Sequence, residues 1–131
     1  MDSHTFPFDL KIPEVKLSLK EVKKVWGKEI WLVNCEEYCC KFLYLNKNAQ
    51  SSYHYHPKKK ETFFALQGQV ALTIKGKDYM LNPASRPKTI EPGTLHCFRG
   101  ITDAIILEIS THHEDGDVFR ETESKENIYD S

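Results

Sequence analysis

Along most of this chain the apolar residues come in short runs that alternate with polar ones at a period near two, and turn residues punctuate the runs. Runs of this kind occupy residues 29–34, 38–46, 51–56, 62–66, 70–75, 78–81, 88–91, 96–99 and 104–110. A succession of short β-rich segments separated by turn signals predicts a sandwich or barrel. The punctuation is Asn46-Lys47-Asn48, Gln67-Gly68-Gln69, Gly76-Lys77, Asn82-Pro83 and Pro92-Gly93. Gly and Asn accept positive φ there, and Pro presets a turn. VALTIKGKDYML, residues 70–81, reads as a tight hairpin.

One segment breaks the pattern. In SLKEVKKVW, residues 18–26, Ser18 and Glu21 form a capping box, and Leu19, Val22, Val25 and Trp26 recur at helical spacing. A short helical turn is expected there, following an extended, strand-like EVKLSLK. Residues 1–27 are therefore read as an N-terminal arm and 28–120 as one barrel domain. The polar residues 121–131 are read as a surface tail that frays. A chain of 131 residues has the size of a single domain.

Charge narrows the classes of partner. The 18 basic and 19 acidic residues leave a net charge of −1, so no global field recruits nucleic acid or an anionic membrane. The opening MDSHTFPFDL has no basic region followed by a long apolar one, and no run approaches the roughly 18 apolar residues of a spanning helix. A soluble, cytoplasmic protein is expected. Cys35, Cys39, Cys40 and Cys97 match no zinc spacing and are read as free thiols in a reducing compartment.

The candidate chemistry lies in SSYHYHPKKKE, residues 51–61. On a strand, His54 and His56 point to one face while Tyr53 and Tyr55 point to the other. A turn over Pro57–Lys60 then lets TFFAL run back antiparallel, and Glu61 is aimed at the same point. His96, which follows the Pro92-Gly93 turn, supplies a fourth candidate ligand. Three imidazoles and a carboxylate without thiolate suit one divalent transition metal, whether Mn, Fe, Co, Ni or Zn. An octahedral ion would keep two positions open, as catalysis requires.

These residues resemble the cupin family. Its first motif, G(x)5HxH(x)3-4E(x)6G, is met by His54, His56, Glu61 and Gly68, with Asn48 in place of the leading glycine. Its second, G(x)5PxG(x)2H(x)3N, is met by Gly93 and His96, with Glu91 in place of the proline and Gly100 in place of the asparagine. The resemblance covers about residues 28–120. It implies an all-β double-stranded β-helix, a jelly-roll-like barrel that is usually a homodimer. A further resemblance, to sugar-phosphate isomerase-like members and the barrel domains of type II phosphomannose isomerases, places Lys41, Ser52, Lys59 and the Asp117-Val118-Phe119-Arg120 stretch in register with that group's pattern. It implies Ser52, Lys59 and Arg120 as substrate-binding residues.

Two charged residues in apolar strands stand out on physical grounds. Lys41 lies in CKFLYL, and Glu108 shares a face with Ile106 and Ser110. A charge in such a place is costly without a function, so both are candidates for moving a proton. Trp26, Trp31, Phe63 and Phe98 read as core or interface residues. His112 and His113, beside Glu114, Asp115 and Asp117, read as surface charge. The expected activity is that of an isomerase or epimerase of a sugar, sugar phosphate or related hydroxy-carbonyl compound, acting through a metal-stabilised enediolate. The alternatives are a cupin-type dioxygenase and a non-catalytic carbohydrate-binding barrel.

Overall fold

The computed structural model describes residues 19–130. Eleven strands and no helix occur among the described residues: β1 (Lys20–Lys24), β2 (Gly27–Asn34), β3 (Cys39–Leu45), β4 (His54–Tyr55), β5 (Glu61–Gln67), β6 (Val70–Ile74), β7 (Lys77–Leu81), β8 (Lys88–Ile90), β9 (His96–Gly100), β10 (Ala104–Ser110) and β11 (Phe119–Arg120). They build two antiparallel sheets, ordered β1-β2-β3-β10-β5-β8 and β11-β4-β9-β6-β7. The alternation in the sequence is thus the alternation of a barrel wall, with one face in and one face out.

The β6–β7 hairpin forms where the turn chemistry puts it. Ile74 pairs with Lys77, and both central residues have positive φ, Lys75 at 50° and Gly76 at 78°. That is the twist a two-residue hairpin loop needs. Asn48, standing where a glycine would be expected, is also left-handed, with φ of 67°.

The helical turn expected within residues 18–26 is not formed. Residues Lys20–Lys24 are strand β1, paired with β2 from Lys20 opposite Trp31 to Lys24 opposite Gly27. Helical periodicity over so short a segment is weak, because an isolated turn fixes many dihedrals for one hydrogen bond. A hairpin ladder and the burial of Trp26 in the core outweigh it. Ser18 and most of the strand-like residues 14–20 lie outside the described residues.

Inside the barrel, parity divides the wall into two levels. On β3 the inward residues are Cys39, Lys41, Leu43 and Leu45, on β5 Glu61, Phe63 and Ala65, and on β10 Ala104, Ile106, Glu108 and Ser110. The register sets Ile106 opposite Leu43 and Ala65, and Glu108 opposite Lys41 and Phe63. One end of the interior is therefore an apolar floor, and the other end is charged. The floor is closed by Trp26 and Phe98, edge to face at 5.0 Å, with Phe63 next to Phe98 at 6.0 Å. Trp26, Phe63 and Phe98 are core residues as expected, whereas Trp31 stands outside that core cluster.

The polar tail is held rather than loose. Gln50 and Lys125 exchange backbone hydrogen bonds of 2.8 and 2.9 Å, and Ile128 N–H donates to Asn48 C=O at 2.8 Å. Side-chain oxygens of Thr122 and Ser124 accept from Tyr53 N–H and Ser52 N–H. The four cysteines are unpaired. No helix among the described residues is long and apolar enough to cross a membrane.

Gly68 closes the β5–β6 turn with φ of 80° and lies so near Asp103 C=O that a Cβ would collide with it. Gly76 has a similar φ of 78° and open space around it. Gly68→Ala is expected to lower stability by about 3 kcal/mol or more and Gly76→Ala by about 1 kcal/mol, measured by urea denaturation.

Candidate metal centre

His54 and His56 stand at the β4 edge, Glu61 begins β5, and His96 begins β9, so the strand pairing itself assembles the group. His54 is the direct partner of His96 in the β4–β9 register. The rings of His54, His56 and His96 lie 4.4 to 5.7 Å apart by centroid. One ligand atom from each of these four residues falls within 4.8 Å of all the others. Glu61 and His96 are almost fully buried.

Proton bookkeeping shows what the group is built for. His54 Nδ1 is 2.7 Å from Ser52 C=O, His56 Nδ1 is 2.6 Å from Asp117 C=O, and His96 Nδ1 is 2.8 Å from Thr94 C=O. A carbonyl can only accept, so each Nδ1 must donate, and each neutral ring is left with an Nε2 lone pair. Those of His56 and His96 face Glu61. Its Oε2 lies 2.8 Å from His96 Nε2 and 3.5 Å from His56 Nε2. The 2.8 Å contact is no hydrogen bond, for both atoms are buried without a hydrogen-bond partner. Two acceptors held this close without a proton call for a cation between them. Ligands at right angles around an ion with bonds of about 2.1 Å would sit about 3 Å apart, which these contacts approach. The residues fit a divalent transition metal with an N/O preference.

The electrostatics favour the ligating protonation states. Burial lowers the pKa of His54 to about 3 and of His56 to about 4. For Glu61, burial acts upward, but the His96 contact and the Lys59 ammonium outweigh it and leave the pKa below the usual carboxylate range. Lys59 is the durable cause, since His96 offers a lone pair rather than a proton.

Lys59 is not at a solvated rim. It is 4% exposed, with Nζ 3.5 Å from Glu61 Oε1 and 3.3 Å from Glu108 Oε2. Glu61 is thereby tethered through one oxygen and presents the other to the histidines. Burial opposes the charge on Lys59, yet Glu108 and Glu61 more than restore it, and its pKa is raised. Glu108 has a raised pKa because burial dominates, with Glu61 adding to it and Lys59 opposing.

One cavity of about 130 Å³ is lined by His54, His56 and Glu61 together with Lys41, Ser52, Lys59, Glu108 and Arg120, while the buried His96 joins the group through its 2.8 Å contact with Glu61 Oε2. At about 30 Å³ per water that volume holds roughly four waters, or a small polyol in their place. Ser52 also orients His54 through its carbonyl. Arg120 is carried in by β11, directly opposite His54, and no carboxylate among the described residues lies within salt-bridge distance of it.

Three residues at the site were not identified from the sequence. His113, read as surface charge, lines the cavity. Its Nδ1 is 3.2 Å from Lys41 Nζ and 3.5 Å from Lys59 Nζ. Glu29 is buried 3.7 Å from Lys41 and accepts from Trp31 Nε1 at 2.8 Å. Asp117 accepts the N–H groups of Lys58 and Lys59 with its carboxylate while its carbonyl holds His56. Parity in EIWLVN could have pointed to Glu29, had a bulge between Trp31 and Val33 not broken it. Nothing local marks His113, and Asp117 was singled out only as part of the stretch that leads to Arg120.

No family model matches the chain, and no curated protein matches it in sequence. Solved structures do resemble it. KdgF from Halomonas sp. superposes with a TM-score of 0.68 at 12% identity, over 77% of this chain and 93% of that one. Streptomyces PAC13, solved with uridine, gives 0.70 at 11% identity, over 87% and 93%. The capsular polysaccharide assembling protein CapF from Staphylococcus aureus gives 0.69 at 15% identity, over 78% of this chain but 34% of that one. The chain thus spans about a third of the length of CapF. These are cupin-fold proteins, and this chain has the all-β cupin barrel with a His/Glu cluster that could hold a metal.

The ion-free protein should lose stability as pH falls from about 6.5 towards 3 to 4, because the unfolded chain binds protons at His54 and His56 that the folded chain refuses. Added Zn or Mn should raise the melting temperature at pH 7 and still do so at pH 5, and cease to do so only below about pH 4, where the folded histidines take up protons. His54→Ala combined with His56→Ala should abolish that rise, read by thermal shift and elemental analysis. Lys59→Met, which strands two buried carboxylates, should cost about 3–5 kcal/mol.

Proposed function

We propose that the protein is a metal-dependent isomerase or epimerase acting on a sugar, sugar phosphate or related hydroxy-carbonyl compound. The observation that supports this most is the presence of Glu108 and Lys41 in the same cavity as His54, His56 and Glu61, three of the four clustered candidate ligands. A barrel that only carries a ligand gains nothing from such groups, because buried charges are commonly no more stabilising than apolar residues of the same volume. When bound, a divalent cation would supply Lewis-acid stabilisation of negative charge on adjacent carbonyl and hydroxyl oxygens.

The side chains divide the remaining work. Glu108 has a raised pKa, so it holds a proton more readily than an ordinary carboxylate and can take one from, and return one to, carbon. Glu61 is not free for this, being a candidate ligand. Lys59 fixes Glu108 in place. Lys41, 1% exposed, presents an ammonium that can balance the charge of an enediolate. Arg120 and Ser52 line the same cavity and can hold hydroxyl or phosphate oxygens. Two structural neighbours, a capsular polysaccharide assembling protein and a protein solved with the ribose-bearing uridine, are in keeping with a polyhydroxylated ligand.

In heavy water, the metal-loaded protein is expected to place deuterium on the carbon next to the carbonyl of its substrate within a panel of aldoses, ketoses and their phosphates, followed by NMR. Glu108→Gln should slow this by at least 100-fold with metal content retained. Oxygen uptake with an enediol in place of deuterium incorporation would move the assignment to a dioxygenase.

A further inference from the structure

We propose that His113, oriented by Asp115, is a second acid–base residue of the cavity and acts on substrate oxygen while Glu108 acts on carbon. This inference rests on the isomerase reading above and adds a residue and a step to it. His113 Nε2 lies 2.9 Å from Asp115 Oδ1. Its Nδ1 lies within reach of two ammonium groups, Lys41 at 3.2 Å and Lys59 at 3.5 Å. An ammonium can only donate and a carboxylate can only accept. Both ends of the ring therefore demand one tautomer, with the proton on Nε2 and the lone pair of Nδ1 turned into the cavity. The ring plane is set by Trp31, packed edge to face at 4.8 Å.

The location suits contact with both substrate and solvent. Lys59 Nζ is 3.5 Å from Glu61 Oε1 and equally 3.5 Å from His113 Nδ1, so one side chain separates His113 from a candidate ligand. On the far side, Asp115 has a side chain that is 94% exposed. Burial, with help from Lys41 and Lys59, lowers the His113 pKa and keeps the ring neutral as an acceptor.

Interconversion of an aldose and a ketose needs two proton movements. One carries hydrogen between neighbouring carbons, and the other carries a hydroxyl proton to the former carbonyl oxygen. In the second, the substrate hydroxyl takes the place of the Lys41 ammonium at His113 Nδ1, which accepts its proton, and the hydroxyl oxygen becomes the new carbonyl as the C–C π electrons of the enediolate return to carbon. The same proton then passes to the oxygen that began as the carbonyl, and His113 ends neutral. The imidazolium formed in between keeps its Nε2–H on Asp115, and the negative charge of the enediolate offsets its closeness to the two lysines. No external oxidant or reductant is required.

The test follows two signals in the Mn-loaded protein with the panel of aldoses, ketoses and their phosphates in heavy water: deuterium exchange at carbon, and conversion of aldose to ketose. His113→Gln is expected to keep its metal content and its exchange at carbon, while conversion falls about 100-fold. Asp115→Asn should lower kcat for conversion with KM unchanged. Full conversion by His113→Gln overturns the inference and leaves the isomerase reading standing. Joint loss of exchange and conversion in that variant also overturns it, since His113 would then be structural. A wild-type protein that neither exchanges nor converts any of the panel defeats the isomerase reading itself, and this inference with it. Nitrogen NMR of the imidazole gives an arm independent of turnover, in which a proton found on Nδ1 of His113 overturns the assignment.

Discussion

The site depends on where three imidazole protons go. Each of His54, His56 and His96 gives its Nδ1 proton to a backbone carbonyl, and main-chain acceptors cannot be lost by substituting a side chain. For His54 and His96 the carbonyl lies two residues earlier on the same segment, so strand entry geometry alone fixes the tautomer. For His56 it belongs to Asp117, 61 residues away. Two of the three lone pairs are therefore aimed locally, and the third awaits completion of the tertiary fold. Acceptors that converge on one carboxylate without an intervening proton repel one another, and a cation is the species that resolves this.

The same cavity holds three buried carboxylates, Glu29, Glu61 and Glu108, against two buried ammonium groups, Lys41 and Lys59. The excess is one negative charge, which a dication would turn into an excess of one positive charge. Anionic oxygens are poorly received by the first state and well received by the second. Lys59 ties two of these carboxylates together, because one ammonium both tethers the candidate ligand Glu61 and pins Glu108.

How much of this could be read from the sequence follows from which interactions are local. Parity along β10 put Glu108 on the face of Ile106 and Ser110, and it is inward with them. The two-residue spacing of His54 and His56, and the turn before Glu61, predicted that these side chains gather, as they do in the His/Glu cluster, because strand geometry determines side-chain direction over a few residues. The segment 18–26 misled, since a pattern of four apolar residues at helical spacing cannot tell a free turn from the outer strand of a hairpin that buries its tip through Trp26. His113, and the part Asp117 plays in holding the 57–60 turn and His56, were out of reach for a different reason. Both residues lie on an irregular segment whose path is set by what it docks against, and polarity alone made it read as surface.

That segment has the further consequence of closing the site. After β10 the chain passes His113 and Asp115 beside the cavity, caps the 57–60 turn with Asp117, adds β11 to the β4 edge, and then runs along residues 48–53 as far as Ile128. An open β4 would leave unpaired backbone groups next to the ligands and would invite pairing with another chain. Covering it satisfies those groups and at the same moment supplies the carbonyl for His56, the guanidinium of Arg120 and the imidazole of His113. The barrel floor, made of Trp26, Leu43, Phe63, Phe98 and Ile106, requires none of these contacts. Stability of the core and assembly of the site are accordingly separable, and weakening residues 113–128 should affect ion and ligand affinity well before it unfolds the barrel.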